Sequence, residues 1–269
     1  MRSSSSIPAS PRRRLLLLAV GAGALAAVAG GAVIWLVWFS SQAPAAASLD
    51  DAIGAVQGAQ PSGAASPVAS DAPGATDDDA SPTPADGIDG TWAVDASIGS
   101  FADYTSAFAG FRVDEVLTSI GSTTAIGRTP DVSGSLTIAD GALIAATFEV
   151  DLTTIRSDQS RRDPAIQRAL ETGSFPAATF TLTGPVTLPD DAATGATVMA
   201  SVAGDLTIHG VTLPVTLDLE ASLAGGVIVA VGSIDVTFTD FGVEMPSAPI
   251  VVSVEEAGQI EFQLFFWRS

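Results

Sequence analysis

Across residues 204–220 apolar and polar side chains alternate one for one. Leu206 and Ile208 fall on one side, and Asp205, Thr207 and His209 on the other. After His209-Gly210 the alternation resumes, with Leu213, Val215, Leu217 and Leu219 opposite Thr212, Pro214, Thr216, Asp218 and Glu220. A period of two in Val, Ile, Leu and Thr marks strands with one dry and one wet face. The His-Gly corner suits a tight hairpin, because glycine accepts the positive φ such turns require. The same pattern predicts strands over 132–138, 144–152, 178–188, 198–208, 211–223, 227–238 and 259–266, with Asp140-Gly141 as a further hairpin turn. In the clearest of them Ile144, Ala146, Phe148, Val150 and Leu152 share a face, and Ala145, Thr147, Glu149 and Asp151 the other.

Between Ser160 and Leu170 the period changes. Ile166 and Leu170 stand four apart, Ser160 is a candidate N-cap and Pro164 falls in the first turn, so the segment is expected to be a short helix. Strands at this spacing, joined mostly by hairpins, predict an all-β antiparallel sandwich or closed barrel. Small residues on the dry face (Ala146, Ala200, Gly204, Ala230 and Gly232) bear on that choice. A barrel of about eight strands can keep room inside for one small ligand. Alternatively, the small side chains interdigitate with facing phenylalanines in a filled core. Pattern alone leaves both open.

Upstream of Gly90 the alternation is absent. Residues 15–39 contain no charge, follow Arg12-Arg13-Arg14 and carry Trp35 and Trp38 near their far end. At ~1.5 Å per residue they can cross the ~30 Å hydrocarbon layer. Basic flank and interfacial tryptophans then predict a single transmembrane helix. Residues 1–14 would be a cytoplasmic basic tail, and everything beyond it extracytoplasmic at the cell membrane. A cleaved signal peptide ending near Ala45-Ala46-Ala47 is the alternative, although signal cores are shorter, ~7–15 residues. Residues 40–88 are Ala, Pro, Ser, Gly and Asp with almost nothing large and apolar, the composition of an extended, disordered linker. Its expected span is ~40 Å. The folded domain would occupy 89–269.

Charge narrows the function. The chain carries -19 overall, and all 30 acids lie at or beyond Asp50. Four of the 11 basic residues precede Leu15, so the remainder has 7 arginines against 30 acids, a net of -23. Nucleic-acid binding needs cationic patches that displace counterions, and is excluded on that ground. With no cysteine there is no disulfide scaffold and no thiolate metal site. Asp77-Asp78-Asp79 reads as solvated linker charge, since a Ca²⁺ site needs a fixed loop. His209 is the lone histidine and lies in a predicted turn, without a cysteine nucleophile or a second histidine to serve. The acids form no recognisable carboxylate-pair motif. Neither catalytic nor metal-binding residues are expected, and no cofactor is implied.

Several short motifs recur in a set order: Trp92-Ala-Val-Asp95, Thr153-Thr-Ile-Arg-Ser-Asp158 with Ser160-Arg-Arg-Asp163, Phe175-Pro-Ala-Ala-Thr-Phe180, residues 204–217 and Asp240-Phe241-Gly242. Together they resemble the YceI-like family of polyisoprenoid-binding proteins, from about Gly90 to the C-terminus. The resemblance implies a lipocalin-like antiparallel barrel of about eight strands with one short helix. It also implies an apolar tunnel for an isoprenoid lipid or quinone tail, a non-enzymatic role in carriage, storage or sequestration, and often a homodimer. Two positions depart from the family: Ile98-Gly99 stands where a His-Ser pair is usual, and Thr239 where a basic residue is common. Both weaken the transfer of polar headgroup contacts.

On this reading the tunnel wall draws on Phe101, Phe108, Phe111, Phe148, Phe180, Phe238 and Phe262. Burial of each methylene contributes ~0.8 kcal/mol, so a prenyl tail needs little help from its headgroup. Arg156, Arg161 and Arg162, beside Arg168, are the headgroup candidates, because the guanidinium fork pairs oxyanions. Asp158, Asp163 and Glu171 lie among them and offer internal ion pairs instead. Phe265 and Trp267 fall on the outer face of the last strand, as a dimer contact or under neighbouring chain. The rival to the lipid binder is a ligand-free structural or protein-interaction β-domain displayed at the cell surface.

Overall fold

A computed structural model describes residues 43–59, 87–118, 121–246 and 251–269. The expected basic tail, transmembrane helix and most of the linker therefore lie outside the described residues. Among the described ones, no helix is long and apolar enough to cross a membrane.

The elements in chain order are α1 (Leu49–Ala59), β1 (Gly90–Val94), β2 (Phe108–Leu117), β3 (Gly121–Thr129), β4 (Val132–Ala139), β5 (Ala142–Asp151), α2 (Asp163–Ala169), β6 (Ala177–Leu182), β7 (Val186–Thr187), β8 (Val198–Ile208), β9 (Val211–Ala224), β10 (Val227–Thr237) and β11 (Val251–Arg268). Neighbours run β1-β4-β5-β6-β8-β9-β10-β11, and β11 pairs back onto β1, closing an antiparallel ring of eight strands. The long β11 makes closure possible. Its C-terminal residues 266–268 pair with β1, while residues 251–263 pair with β2, which carries β3 on its other side. Backbone hydrogen bonds between Arg128 and Arg156 join β3 to the chain that follows β5.

The hairpins form where the alternation places them. Asp140-Gly141 and His209-Gly210 have both residues at positive φ, and Ile208 pairs directly with Val211 across the second. Such two-residue turns match the twist of the flanking strands. The alternating face of β8 and β9 points inward as expected, with Val202, Leu206, Ile208 and Leu217 buried. One inward assignment fails. The β4–β5 register slips between Thr137 and Ile138, so Ile144 is the extra residue of a bulge and is 51% exposed, while Leu143 turns in. The helix is also shorter than Ser160–Leu170: it starts at Asp163 after a turn, with Pro164 in its first turn. Its anchors Ile166 and Leu170 are both buried.

Residues 49–59 correct the linker expectation. Leu49, Ala52, Ile53 and Val56 form an i, i+3, i+4, i+7 stripe, and Asp50 and Asp51 sit in the first turn, where the helix dipole favours them. This stripe packs on the outside of the barrel against Val229 and Phe265, which face each other across β10 and β11. Both are fully covered, whereas Trp267 remains 48% exposed.

Along β9 and β10 pairing stops at Asp218 and Ser233. Residues 211–217 stay bonded to β8 and residues 234–237 to β11, and the two strands part. The resulting outer groove is lined by Leu213, Pro214, Val215, Asp235 and Phe241.

Candidate functional site

Among the described residues, the inner face of the barrel lines two apolar spaces. The first, of about 120 Å³, lies at the α2 end between Leu152, Ile155, Leu170, Ile208, Phe238 and their neighbours; of its lining residues only Thr179 is polar. The second, of about 100 Å³, lies further along the same strands between Ile88, Leu136, Leu143, Val198, Leu219 and Ile228, with Ser222 as its only polar side chain. Strands β4, β5, β8, β9 and β10 contribute to both, so the two follow one another down one bore.

Glycines make this room. A side chain at Gly127 would strike the Phe111 ring at 2.5 Å, one at Gly204 the Phe180 ring at 2.2 Å, and one at Gly232 the Phe262 ring at 2.6 Å. Gly134 stands in the same relation to Phe148, and Gly258 to Phe238, each at 2.7 Å. Every one of these rings lines the first cavity. They lie over bare backbone on adjoining chain, which leaves the space of the first cavity unfilled. The small inward residues seen in the sequence thus do interdigitate with phenylalanines, yet the core is not solid.

Phe111, Phe148, Phe180, Phe238 and Phe262 accordingly come together around the bore. Phe101 and Phe108 do not. Phe111 follows Phe108 by three positions, which puts them on opposite faces of β2. Phe108 is buried on the outer side with the Arg128 guanidinium 4.3 Å above its ring, and Phe101 packs edge-on to Tyr104 at 5.4 Å. Sequence reasoning missed Ala109, Ile155, Ile260 and Leu264 as lining. Gly134, midway along 132–138 on the inward side, was the available signal for a parked ring.

None of the headgroup candidates lines either cavity. Arg162 bonds Glu115 and reaches Asp158 at 3.1 Å. Arg156 donates to the Ile155 carbonyl at 2.9 Å, and Arg161 is exposed but not without a partner. Glu115 shares the inward parity of Phe111 and Val113 and is buried at the end of β2. That burial pushes its carboxyl above the usual range, against the opposing pull of the Arg162 guanidinium.

The strongest ionic cluster faces away from the bore. Arg128 is 1% exposed and donates from Nε to Glu261 Oε1 and from Nη2 to the Ala45 carbonyl, each at 2.7 Å. Arg112 donates to the Pro44 carbonyl at 2.8 Å and stands 3.6 Å from the same glutamate oxygen. The segment before α1 is thereby pinned to β2 and β3. His209 sits in its turn, but its ring is tucked against Phe175 at 4.5 Å, with Nε2 buried and 3.6 Å from Glu171. Among the described residues no group of His, Cys, Asp or Glu is arranged to hold a metal.

A sequence profile described as a YceI-like domain matches residues 92–266, most of the chain and nearly all of the barrel. The chain belongs to the YceI-like family. Protein YceI of Escherichia coli O17:K52:H18 (strain UMN026 / ExPEC) is 32% identical over 123 residues, 44% of this chain and 57% of that relative. The alignment thus spans little more than half of the relative's length. Similar solved structures include a polyisoprenoid binding domain from Saccharophagus degradans implicated in plant cell wall breakdown, with 19% identity, TM-score 0.48, 66% of this chain and 98% of the other. Burkholderia cenocepacia BcnA gives 18% identity, TM-score 0.45, and coverage of 59% and 95%. The YceI-like match begins at Trp92, so α1 lies upstream of it.

Proposed function

We propose that this YceI-like chain is a membrane-anchored, extracytoplasmic binding protein that holds a long apolar isoprenoid lipid or quinone tail inside its barrel. Its task is carriage, storage or sequestration, without catalysis. The observation that carries the reading is the lining of the bore: apart from Thr179 and Ser222 it presents only hydrocarbon, aromatic ring and glycine. An enclosed apolar space of this kind stays dry and gains by accepting a hydrocarbon guest. Arg162 is ion-paired and no arginine lines the bore, so affinity comes from the tail. The uncharged run over residues 15–39 is the expected anchor, and the half-exposed Trp267 is the place to look for a homodimer contact.

Extraction of lipids from protein purified out of its own membranes, followed by mass spectrometry, tests this. A stoichiometric polyprenol, polyprenyl phosphate or menaquinone is the expected result. Lipid-free protein that stays empty after incubation with polyprenols would overturn it and leave the ligand-free surface module.

A further inference from the structure

The two cavities share a bore but no lining residue. Leu182 lies between them on β6: Phe180, two residues before it, lines the first, and Val186, beyond the strand's end, lines the second. Leu182, Phe148, Val150 and Phe262 each pack against the buried clusters at both ends. The wall around this partition is nearly bare. Gly134, Gly204 and Gly232 are the inward residues between the two cavities on β4, β8 and β10, and Ala146 is inward on β5. Leu182 itself pairs with Gly204. These side chains, with the Phe180 ring over Gly204, therefore block a passage whose walls would otherwise leave it open.

An enclosed apolar space of ~150 Å³ accepts a molecule the size of benzene. Spaces of about 120 and 100 Å³ then each suit about one isoprene unit. A longer chain must pass the partition. We propose that Leu182, with the Phe148 and Phe262 rings beside it, determines the chain length of the isoprenoid this barrel accepts. Short prenyl groups occupy one compartment and leave the partition shut. Long ones displace it and run through both. This inference rests on the lipid-binding reading above and adds to it the residue that sets length.

The test uses the full chain in lipid nanodiscs, with empty nanodiscs as the blank, titrated with radiolabelled prenol (one isoprene unit) and solanesol (nine). Leu182→Ala should tighten solanesol binding about tenfold and leave prenol within about twofold of the parent. Leu182→Phe, which thickens the partition, should weaken solanesol and spare prenol, and it provides a readout if the alanine variant folds poorly. Equal shifts for both ligands, or solanesol binding indifferent to both substitutions while prenol still binds, overturns the length determinant and leaves the lipid-binding reading standing. Failure of the parent and both variants to bind either alcohol overturns both.

Discussion

Gly127 shows most plainly how single residues set the volume of the bore. A methyl group there would meet only the Phe111 ring, with no backbone atom among its nearest neighbours, so the ring must swing toward the lumen. Gly127→Ala is expected to cost about 1–3 kcal/mol of overpacking and to weaken uptake of any apolar ligand in the α2-end cavity. Thermal melting and lipid titration of the same sample check both effects. Glu115 makes a prediction about pH. A carboxyl whose pKa is raised on folding holds its proton more tightly in the folded state, so its ionised form costs stability above the folded pKa. That cost vanishes as pH falls below the ordinary value of 4.5. The stability of the parent minus that of Glu115→Gln should therefore increase as the pH is lowered from 7 toward 4.5, measured by urea unfolding at each pH. A difference that stays flat or shrinks would contradict the raised carboxyl.

At the scale of elements, α1 is the piece with the most to test. Leu49, Ala52 and Val56 cover Val229 and Phe265, both without solvent contact. Leu49→Ala should lower unfolding stability by about 2–3 kcal/mol, a value read from chemical denaturation of the full chain. An unchanged midpoint would mean that α1 rests on the barrel without holding it. The sequence revealed the hairpins because two physical signals coincide there: strict alternation, and a residue pair fit for positive φ. It hid α1 because four well-placed apolar side chains vanish in the average composition of a long Ala/Pro/Asp stretch. It hid β3 because Gly-Ser-Thr-Thr-Ala offers little alternation to read. Ile144 was misassigned because a bulge shifts parity by one, and no local residue type announces it. The wall phenylalanines were legible wherever they sat on an alternating strand, and misread at Phe101 and Phe108, where proximity in sequence stood in for parity.

Taken whole, the molecule separates a strongly acidic exterior from an uncharged bore. Surface charges are screened within ~8 Å at physiological ionic strength, and their field has no counterpart inside. Ligand affinity should therefore change less than about twofold between roughly 0.05 and 0.5 M salt, measured with the same lipid titration. A steep fall would instead place an arginine on the ligand. The parting of β9 from β10 has a different consequence. Among the described residues, 211–217 present a strand margin unpaired on the β10 side, the kind of margin onto which another molecule can lay a strand and begin a fibril. Pro214, which has no N–H to donate, and Asp235 across the groove make that margin a poor template. Pro214→Val should leave the fold and the bore intact while concentrated solutions slowly turn thioflavin-positive. The seam left open by the parted strands is thus guarded by an imino acid and a carboxylate, which keep it from seeding a polymer of the chain.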